Sequence, residues 1–186
     1  MHLITKDDYK RERMNVLGEI LKGAVFIYPT DTLYVIGCDA RNTKAVERIR
    51  KAKPNFDRPF WVIPPNKEWI AQHCEASEAK ELLEQLPGQM TLVLPLKNEK
   101  AIAKEVNHGN GTIGIKMPLH WIMREIKELG IPIVATTANT LDGDFVCSHE
   151  DVEHELSRHV DFFIYDGEIK GKPTKVINLA EALLKH

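Results

Sequence analysis

Short apolar runs rich in β-branched and aromatic residues alternate along the chain with segments of helical periodicity. The apolar runs predict seven strands, at 24–30, 60–64, 90–96, 112–118, 131–138, 161–167 and 174–179. A first helix is predicted to end at Gly23, because Thr5 and Asp8 have capping-box spacing and the apolar residues that follow recur at helical intervals. Further helical patterns lie near 43–53, 66–73, 77–86, 99–106, 119–129 and 149–159.

This alternation predicts one α/β domain over residues 1–186, with a twisted, partly mixed open sheet and flanking helices. No linker-like stretch and no internal repeat divides the sequence, and a length of 186 residues suits a single domain. Binding residues of open α/β sheets collect in the loops that follow the strands. Those loops are therefore the expected place for a binding site.

Composition and charge narrow the class of protein. The 43% apolar and 28% charged fractions are those of an ordinary globular protein and exclude a disordered or collagen-like chain. A formal net charge of −2 argues against a general nucleic-acid coat. The average hides one basic segment, 41–58, with seven cations and two acids, which indicates an anionic ligand held locally. The alternative for such a charge run is a solvated helix face.

Cysteine use and the first residues indicate the compartment. Cys38, Cys74 and Cys147 are too few and too scattered for a disulfide framework, which favours a reducing environment. The start of the sequence lacks the apolar core of a secretory signal, and no apolar run approaches the ~20 residues of a membrane span. We therefore predict a cytoplasmic protein without a membrane partner.

Two histidine patterns superficially resemble a zinc-binding helix. In HEDVEH (149–154) and HELSRH (154–159) the histidines lie five residues apart. On a helix this spacing turns the two side chains ~140° away from each other, whereas zinc ligands need one face. No protein-bound metal is predicted.

Polar residues follow several of the predicted elements. Thr-Asp-Thr (30–32) comes directly after the first apolar run, Lys116 stands near the end of a strand, and 134–139 ends in two threonines and an asparagine. The basic segment 51–59 follows a predicted helix. Hydroxyl groups hydrogen-bond a zwitterion or a phosphate in either direction. If these ends converge on one edge of the sheet they make a pocket, whereas 30–32 alone is also typical of a polar turn.

Two strand segments have a clear pattern. In TIGIKMP (112–118), Thr112, Gly114 and Lys116 alternate onto one face of the strand. LPGQMTLVL (86–94) is interpreted as a Pro-Gly turn that leads into a strand, with a structural role only.

Five segments together resemble a known family. They are, in order, YPTDTLYVIGCDARNTKAVERI, LPGQMTLVL, TIGIKMP, PIVATTAN and GKPTKVINL, and over roughly residues 15–179 they resemble the YrdC-like L-threonylcarbamoyladenylate synthases. The resemblance implies an α/β fold with a twisted sheet around a positively charged cavity. It implies a reaction of L-threonine, bicarbonate and ATP, with Mg²⁺ carried by the ATP, that gives threonylcarbamoyl-AMP and pyrophosphate. This is the first stage in making threonylcarbamoyladenosine at position 37 of tRNA, so tRNA or double-stranded RNA and other tRNA-modification proteins are the implied partners.

The resemblance also implies two sets of binding residues. Threonine-binding residues are expected at Thr32, Lys116, Thr137 and Thr174, and ATP-binding residues at Lys53, Arg58, Thr112, Asn139 and Ser148. No side chain is assigned as catalytic, because a carbamate oxygen attacks the α-phosphorus directly and the reaction depends on positioning and charge neutralisation.

Departures from the family pattern keep an alternative open. Lys53 matches the lysine of the family's Lys-x-Arg motif, which puts Asn55 at the arginine position, while a shifted alignment pairs Lys51 with Lys53. Lys116 replaces a strand arginine, which keeps the charge and loses bidentate geometry. Leu141-Asp142 replaces a Ser-Gly pair. The alternative is a catalytically reduced paralogue that binds RNA or a nucleotide.

A third hypothesis is an interaction subunit of a tRNA-modifying assembly. Its support is the segment 142–155, which holds six acids and no lysine or arginine. A solvated helix explains that segment as well.

Overall fold

In the described part of the chain, nine strands form one sheet, and helices pack on both of its faces. The computed structural model describes residues 1–54, 57–140 and 143–180. Within these ranges the strands are β1 (His2–Thr5), β2 (Phe26–Pro29), β3 (Tyr34–Gly37), β4 (Trp61–Ile63), β5 (Met90–Pro95), β6 (Thr112–Lys116), β7 (Ile133–Thr137), β8 (Phe162–Tyr165) and β9 (Lys175–Asn178). The helices are α1 (Lys6–Leu21), α2 (Thr43–Ala52), α3 (Lys67–His73), α4 (Lys80–Glu84), α5 (Lys104–Asn107), α6 (Ile122–Leu129) and α7 (His154–Ser157), with 3₁₀ turns at Ser77–Ala79, Glu99–Ala101 and His149–Asp151.

The strands of the sheet run in both directions. Their order is β1-β8-β2-β3-β7-β4-β6-β5-β9. The pairs β1/β8, β8/β2, β4/β6 and β5/β9 are parallel, and the pairs β2/β3, β3/β7, β7/β4 and β6/β5 are antiparallel. The predicted α/β fold with a mixed open sheet is therefore confirmed.

Because side chains alternate between the two faces of each strand, apolar residues form two layers, one on each face of the sheet. On one face, Ile36 and Val134 pack with Ile49 of α2. On the other face, Ile133 packs with Leu17 of α1, and α6 covers the same layer. The site described below lies on this second face, on the part of the sheet that α1 and α6 leave open.

The first helix begins and ends as its sequence predicts. The Thr5 hydroxyl accepts from the Asp8 amide at 3.2 Å, and the Asp8 carboxylate accepts from the Thr5 amide at 3.2 Å, which completes the capping box. After α1, Gly23 has a φ of +97°, a left-handed conformation that favours glycine and stops the helix.

β1 and β3 are missing from the sequence prediction. β1 has four residues, the last of which is the Thr5 cap, and it pairs with β8, which is more than 150 residues later in the sequence. β3 follows the polar turn after β2 closely enough to form a hairpin. Both strands are too short for their period to identify them, and both are held by tertiary pairing.

The remaining differences concern length. The seven predicted strands are present, trimmed by one to three residues. The helix predicted at 149–159 reduces to a 3₁₀ turn and the four-residue α7. Across the described ranges, none of the helices has both the length and the apolar character needed to cross a bilayer.

Candidate functional site

A groove on the α1/α6 face of the sheet brings together all four residues predicted to bind threonine. Its described lining comes from the turn after β2, from β3, β4, β6 and β7, and from the segment before β9. The lining residues are Thr32, Leu33, Val35, Trp61, Lys116, Ala135, Thr136, Thr137, Pro173 and Thr174.

The strand register explains the composition of the groove. Val35 pairs with Thr137, and Ala135 pairs with Trp61, which in turn pairs with Gly114. Paired residues point to the same face, so this row forms a floor across four strands. Gly114 and Lys116 are two apart on β6, and they share this face as the sequence predicts.

The expectation that the polar strand ends meet at one edge of the sheet is wrong for β6 and β7. Both strands flank β4, but β6 runs parallel to it and β7 antiparallel. Their carboxyl ends, at Lys116 and Thr137, therefore lie at opposite ends of the sheet. The two residues share the groove because it extends along the sheet face.

Lys116 supplies the cation of the groove. Its side chain is buried, and its Nζ donates to the Thr32 hydroxyl at 2.9 Å and lies 3.5 Å from the Thr30 hydroxyl. Burial lowers the pKa of Lys116, and the carboxylate of Asp31 partly opposes that shift. Among the described lining residues Lys116 is the one cation, so it is the natural partner for a ligand carboxylate.

The turn after β2 holds Thr32 against Lys116. The Thr30 hydroxyl donates to the carbonyl of Leu33 at 2.7 Å, and it accepts from the amides of Thr32 and Leu33 at 3.3 and 3.2 Å. This side-chain closure is the reason for a threonine directly after the strand. It fixes the turn and so fixes the Thr32 hydroxyl over the sheet face.

The segment before β9 forms the opposite wall. The Thr174 hydroxyl lies 2.9 Å from the hydroxyl of Thr91 on β5, and Thr91 pairs directly with Lys116. Gly171 packs so closely on Thr32 that a side chain there would overlap the Thr32 carbonyl. This wall therefore contacts the turn that carries Thr32.

Trp61 lines the groove and packs on Gly114. A methyl group at Gly114 would overlap the indole ring. The glycine therefore allows the half-buried indole to lie close against β6.

Lys53, predicted to bind ATP, lies directly after α2, and its ammonium group contacts backbone carbonyls. Its Nζ donates to the Thr137 carbonyl at 2.8 Å and to the Asn139 carbonyl, and it lies 3.4 Å from Asn139 Oδ1. Burial lowers the pKa of Lys53 to about 8, which the charge of Glu153 partly opposes. Lys53 and Asn139 are brought together, and Lys53 joins α2 to the end of β7.

Asn139 and Thr140, directly after β7, make three more hydrogen bonds. Asn139 Nδ2 donates to the Gly143 carbonyl at 2.7 Å, and the amide and hydroxyl of Thr140 donate to the Glu153 carboxylate. These contacts fix Asn139 and Thr140 close to Thr137, which lines the groove.

All five residues predicted to bind ATP lie outside the described lining of the groove, and three of them also take no part in the contact of Lys53 with Asn139. Arg58 is exposed, and its carbonyl accepts from Arg50. The Thr112 hydroxyl donates to Asn110 at 3.3 Å, and Ser148 caps the 3₁₀ turn at His149–Asp151. Their predicted role in binding ATP stays a prediction.

The basic segment 41–58 is used largely within the protein. Arg41 pairs with Asp39, and Arg48 pairs with Asp161. Among the described residues, Arg50 donates to the backbone carbonyls of Arg58, Glu105 and Val106, and its guanidinium lies 3.6 Å from the centre of the Phe60 ring. The charge run that indicated a local anionic ligand is thus, for these arginines, a set of links between α2 and its neighbours.

Three residues in or beside the groove are absent from the predicted binding set. The sequence predicts only a structural role for the strand that holds Thr91, yet the buried Thr91 hydroxyl is the partner of Thr174. A single hydroxyl inside the apolar run MTLVL was the available signal. Trp61 and Asp31 were not assigned a role, and Trp61 becomes apparent only from its pairing with Gly114.

Two further expectations concern metal ligands and the departures from the family pattern. Within the parts of the chain that the structure describes, no cluster of three His, Cys, Asp or Glu side chains is placed to hold a metal ion. Asn55, Leu141 and Asp142, three of the departures from the family pattern, lie outside the described residues.

Comparison with known proteins links the fold to one family. Residues 19–185 match the Sua5/YciO/YrdC family, described as "Telomere recombination". A putative threonylcarbamoyl-AMP synthase of Methanocaldococcus jannaschii is 30% identical over 182 residues, which cover 92% of this chain and 84% of that protein. The uncharacterized protein YciO of Escherichia coli is 28% identical over 185 residues, which cover 96% of this chain and 89% of that protein.

Solved structures share the fold. The crystal structure of P. abyssi Sua5 complexed with L-threonine superposes with a TM-score of 0.83 at 28% identity. The match covers 96% of this chain and 54% of Sua5, so the chain spans about half the length of that relative. The structure of E. coli YciO superposes with a TM-score of 0.79 at 25% identity and covers 96% of this chain and 89% of YciO.

Proposed function

Since the chain belongs to the Sua5/YciO/YrdC family, we propose that it is a threonylcarbamoyl-AMP synthase, which converts L-threonine, bicarbonate and ATP to threonylcarbamoyl-AMP, pyrophosphate and water. The observation that carries the proposal is the groove in which Thr32, Lys116, Thr137 and Thr174 meet. A relative of the same fold, Sua5, has been crystallised with L-threonine. The name of the M. jannaschii relative supports the same activity.

The groove has the chemistry that a small hydroxy amino acid requires. Lys116 would bind the carboxylate of threonine by a charge-assisted hydrogen bond, which contributes ~1.5–3 kcal/mol. The hydroxyls of Thr32 and Thr174 would bond the polar atoms of the amino acid from opposite walls. The indole of Trp61 and the side chain of Val35 would contact its methyl group.

The reaction needs orientation more than it needs a protein nucleophile. The amine of threonine combines with bicarbonate and loses water to form a carbamate. A carbamate oxygen then attacks the α-phosphorus of ATP, and the bond between that phosphorus and pyrophosphate breaks. Mg²⁺ brought by ATP neutralises the phosphate charge, and the protein supplies fixed positions for the reactants.

Lys53 would act on this reaction through the backbone. By donating to the carbonyls of Thr137 and Asn139 it fixes the end of β7 beside the groove. Asn139 would then present its amide to ATP, with Arg58, Thr112 and Ser148 as further proposed contacts. The product would pass to the proteins that transfer the threonylcarbamoyl group to tRNA.

The test is exchange of labelled pyrophosphate into ATP by the purified protein. Exchange is expected only when L-threonine and bicarbonate are both present. Lys116→Met should lower the exchange rate at least about tenfold, because the carboxylate loses its charged partner. The exposed Lys100 offers a matched control, and Lys100→Met should leave the rate unchanged. Absence of exchange with folded wild-type protein that binds ATP would overturn the proposal.

A second candidate is a paralogue that binds RNA or a nucleotide with reduced catalysis. Two observations favour it: Lys116 cannot make the bidentate contact of an arginine, and the ammonium of Lys53 already donates to backbone carbonyls. Tight RNA binding that weakens steeply with salt, together with no heat of threonine binding in calorimetry, would favour this candidate over the synthase.

A further inference from the structure

Lys116 carries a buried charge without a direct ion pair. Its Nζ has hydroxyl partners, on Thr32 and Thr30, and within the described ranges it forms no salt bridge. A buried ammonium is costly unless a negative charge compensates it. Some group close to the groove must therefore stabilise the cation.

Asp31 is the acid that faces this region. It lies between Thr30 and Thr32 in the turn that contacts Lys116, and both of its carboxylate oxygens are buried. Among the residues that the structure describes, neither oxygen has a hydrogen-bond partner. Burial lowers the pKa of Lys116 and of His120, and the negative charge of Asp31 opposes that lowering. A buried carboxylate without hydrogen bonds is costly, and a nearby cation offsets that cost.

We propose that Asp31 is the counterion of Lys116, a positioning residue that keeps the lysine cationic while leaving its hydrogen-bond donors directed to the groove. A direct salt bridge would occupy those donors. The longer separation stabilises the charge without consuming the contacts that a substrate carboxylate needs. This inference deepens the proposed function and rests on it for the identity of the substrate.

The other charged groups nearby do not replace Asp31. His120 follows β6, and burial lowers its pKa, so its imidazole is neutral at pH 7. Asp166 contacts His120 Nε2 at 3.4 Å but is already paired with Lys6 at 2.8 Å. The residues that pair with the end of β6 on β4 and β5, such as Thr91, carry no charge.

The first experiment measures the charge of Lys116 without any substrate. Lysine labelled with ¹³C at Cε is titrated by NMR, and the Lys116 signal is assigned from its loss in Lys116→Arg. Asp31→Asn should lower the pKa of Lys116 by about one unit or more, and Asp31→Glu should restore most of the shift. Burial and Asp31 act in opposite directions on this pKa, so removing the acid leaves the lowering by burial alone.

The matched control is Asp57→Asn, which removes the same charge from a fully exposed side chain. It should move the pKa of Lys116 by less than about 0.3 unit, because solvent screens it. Asp31→Ser replaces Asp31→Asn if the latter fails to fold. An unchanged pKa in a folded Asp31 variant would overturn the proposal.

The second experiment measures L-threonine affinity by calorimetry from pH 6 to 10. The loss of affinity with rising pH should begin about one unit lower in Asp31→Asn than in wild type, with affinity at pH 6 within about threefold. Titration of threonine's own amine is common to both proteins and cancels in the comparison. A loss by the same factor at every pH would overturn the counterion role. Wild-type protein that binds no threonine, together with the NMR shift, would reject the proposed function and keep the counterion.

Discussion

Lys53 and Lys116 are both buried lysines of the candidate site, and they differ in what their ammonium groups reach. Lys53 is 2% exposed and donates to the backbone carbonyls of Thr137 and Asn139. Lys116 is 5% exposed and donates to the hydroxyl of Thr32. A carbonyl is a fixed acceptor, whereas a hydroxyl rotates and can turn from acceptor to donor when a ligand arrives.

This difference indicates different roles for Lys53 and Lys116, which look equivalent in the sequence. Lys53 stabilises the protein by satisfying carbonyls at the end of β7. Lys116 is held in the groove by groups that a carboxylate can replace. Burial alone therefore does not separate a lysine that is satisfied by the fold from one that is proposed to bind a ligand, but the chemistry of the acceptors does.

The largest expected effect is on stability. Lys53→Met should lower the free energy of unfolding at pH 7 by about 3 kcal/mol, because it leaves the carbonyls of Thr137 and Asn139 without their charged donor. Lys116→Met should cost less than Lys53→Met, since the hydroxyls of Thr30 and Thr32, 3.1 Å apart, can bond each other and the burial cost of the ammonium is removed together with its attraction to Asp31. Urea unfolding measures both, and equal losses would contradict the distinction.

The second effect is a pH dependence that belongs to Lys53. Its pKa is about 8 in the folded protein against 10.5 when unfolded, so between these values the unfolded state binds more protons. Stability should therefore rise with pH in this window, by on the order of 2–3 kcal/mol relative to Lys53→Met, and lose that gain as pH falls to about 8.

Urea unfolding of wild type and Lys53→Met at pH 7.5, 9 and 10.5 measures this window. Lys100→Met serves as the control, because Lys100 is exposed. A constant difference between wild type and Lys53→Met across the three values would refute the pH prediction.

The third effect is on ligand affinity and belongs to Lys116. Lys116→Met should raise the dissociation constant of L-threonine at pH 7 by about 10-fold to 100-fold, the equivalent of one charge-assisted hydrogen bond. Lys116→Arg should retain or improve affinity, because guanidinium binds a carboxylate in bidentate fashion. Calorimetry measures both variants, and weaker binding by the arginine variant than by the methionine variant would exclude the carboxylate contact.

The smallest effect concerns the wall opposite Thr32. Thr174→Val should weaken L-threonine binding by about threefold to tenfold, because it removes one neutral hydrogen bond and the partner of Thr91. Thr43→Val, at the exposed start of α2, is a control that changes the same residue type. The two variants are compared by calorimetry, and equal affinities would exclude Thr174 from the groove contacts.

Much of the fold follows from local patterns in the sequence. The capping box of Thr5 and Asp8, the glycine stop after α1 and the alternation along β6 are each encoded within a few residues. β1 and β3 are not, because four-residue strands depend on partners such as β8 and β7. Their pairing energy comes from long-range contacts that no short window contains.

The candidate site also has some residues that local sequence identifies and some contacts that only the tertiary structure shows. Thr32, Lys116, Thr137 and Thr174 could be selected from residue type and position, supported by the family resemblance, and the structure brings them into one groove. The acceptors of Lys53 and the partner of Thr91 could not, because they depend on which strands become neighbours. The role of Lys53 as a link to the backbone is a property of the three-dimensional arrangement alone.

The contact of Gly171 with Thr32 has a consequence for biosynthesis. The two walls of the groove come from opposite ends of the sequence, and they meet only when β9 has docked beside β5. During translation the first wall leaves the ribosome long before its partner, and such a distant loop closure comes late in folding. Binding of L-threonine in the proposed groove therefore requires that Thr174 has emerged from the ribosome and docked beside β5.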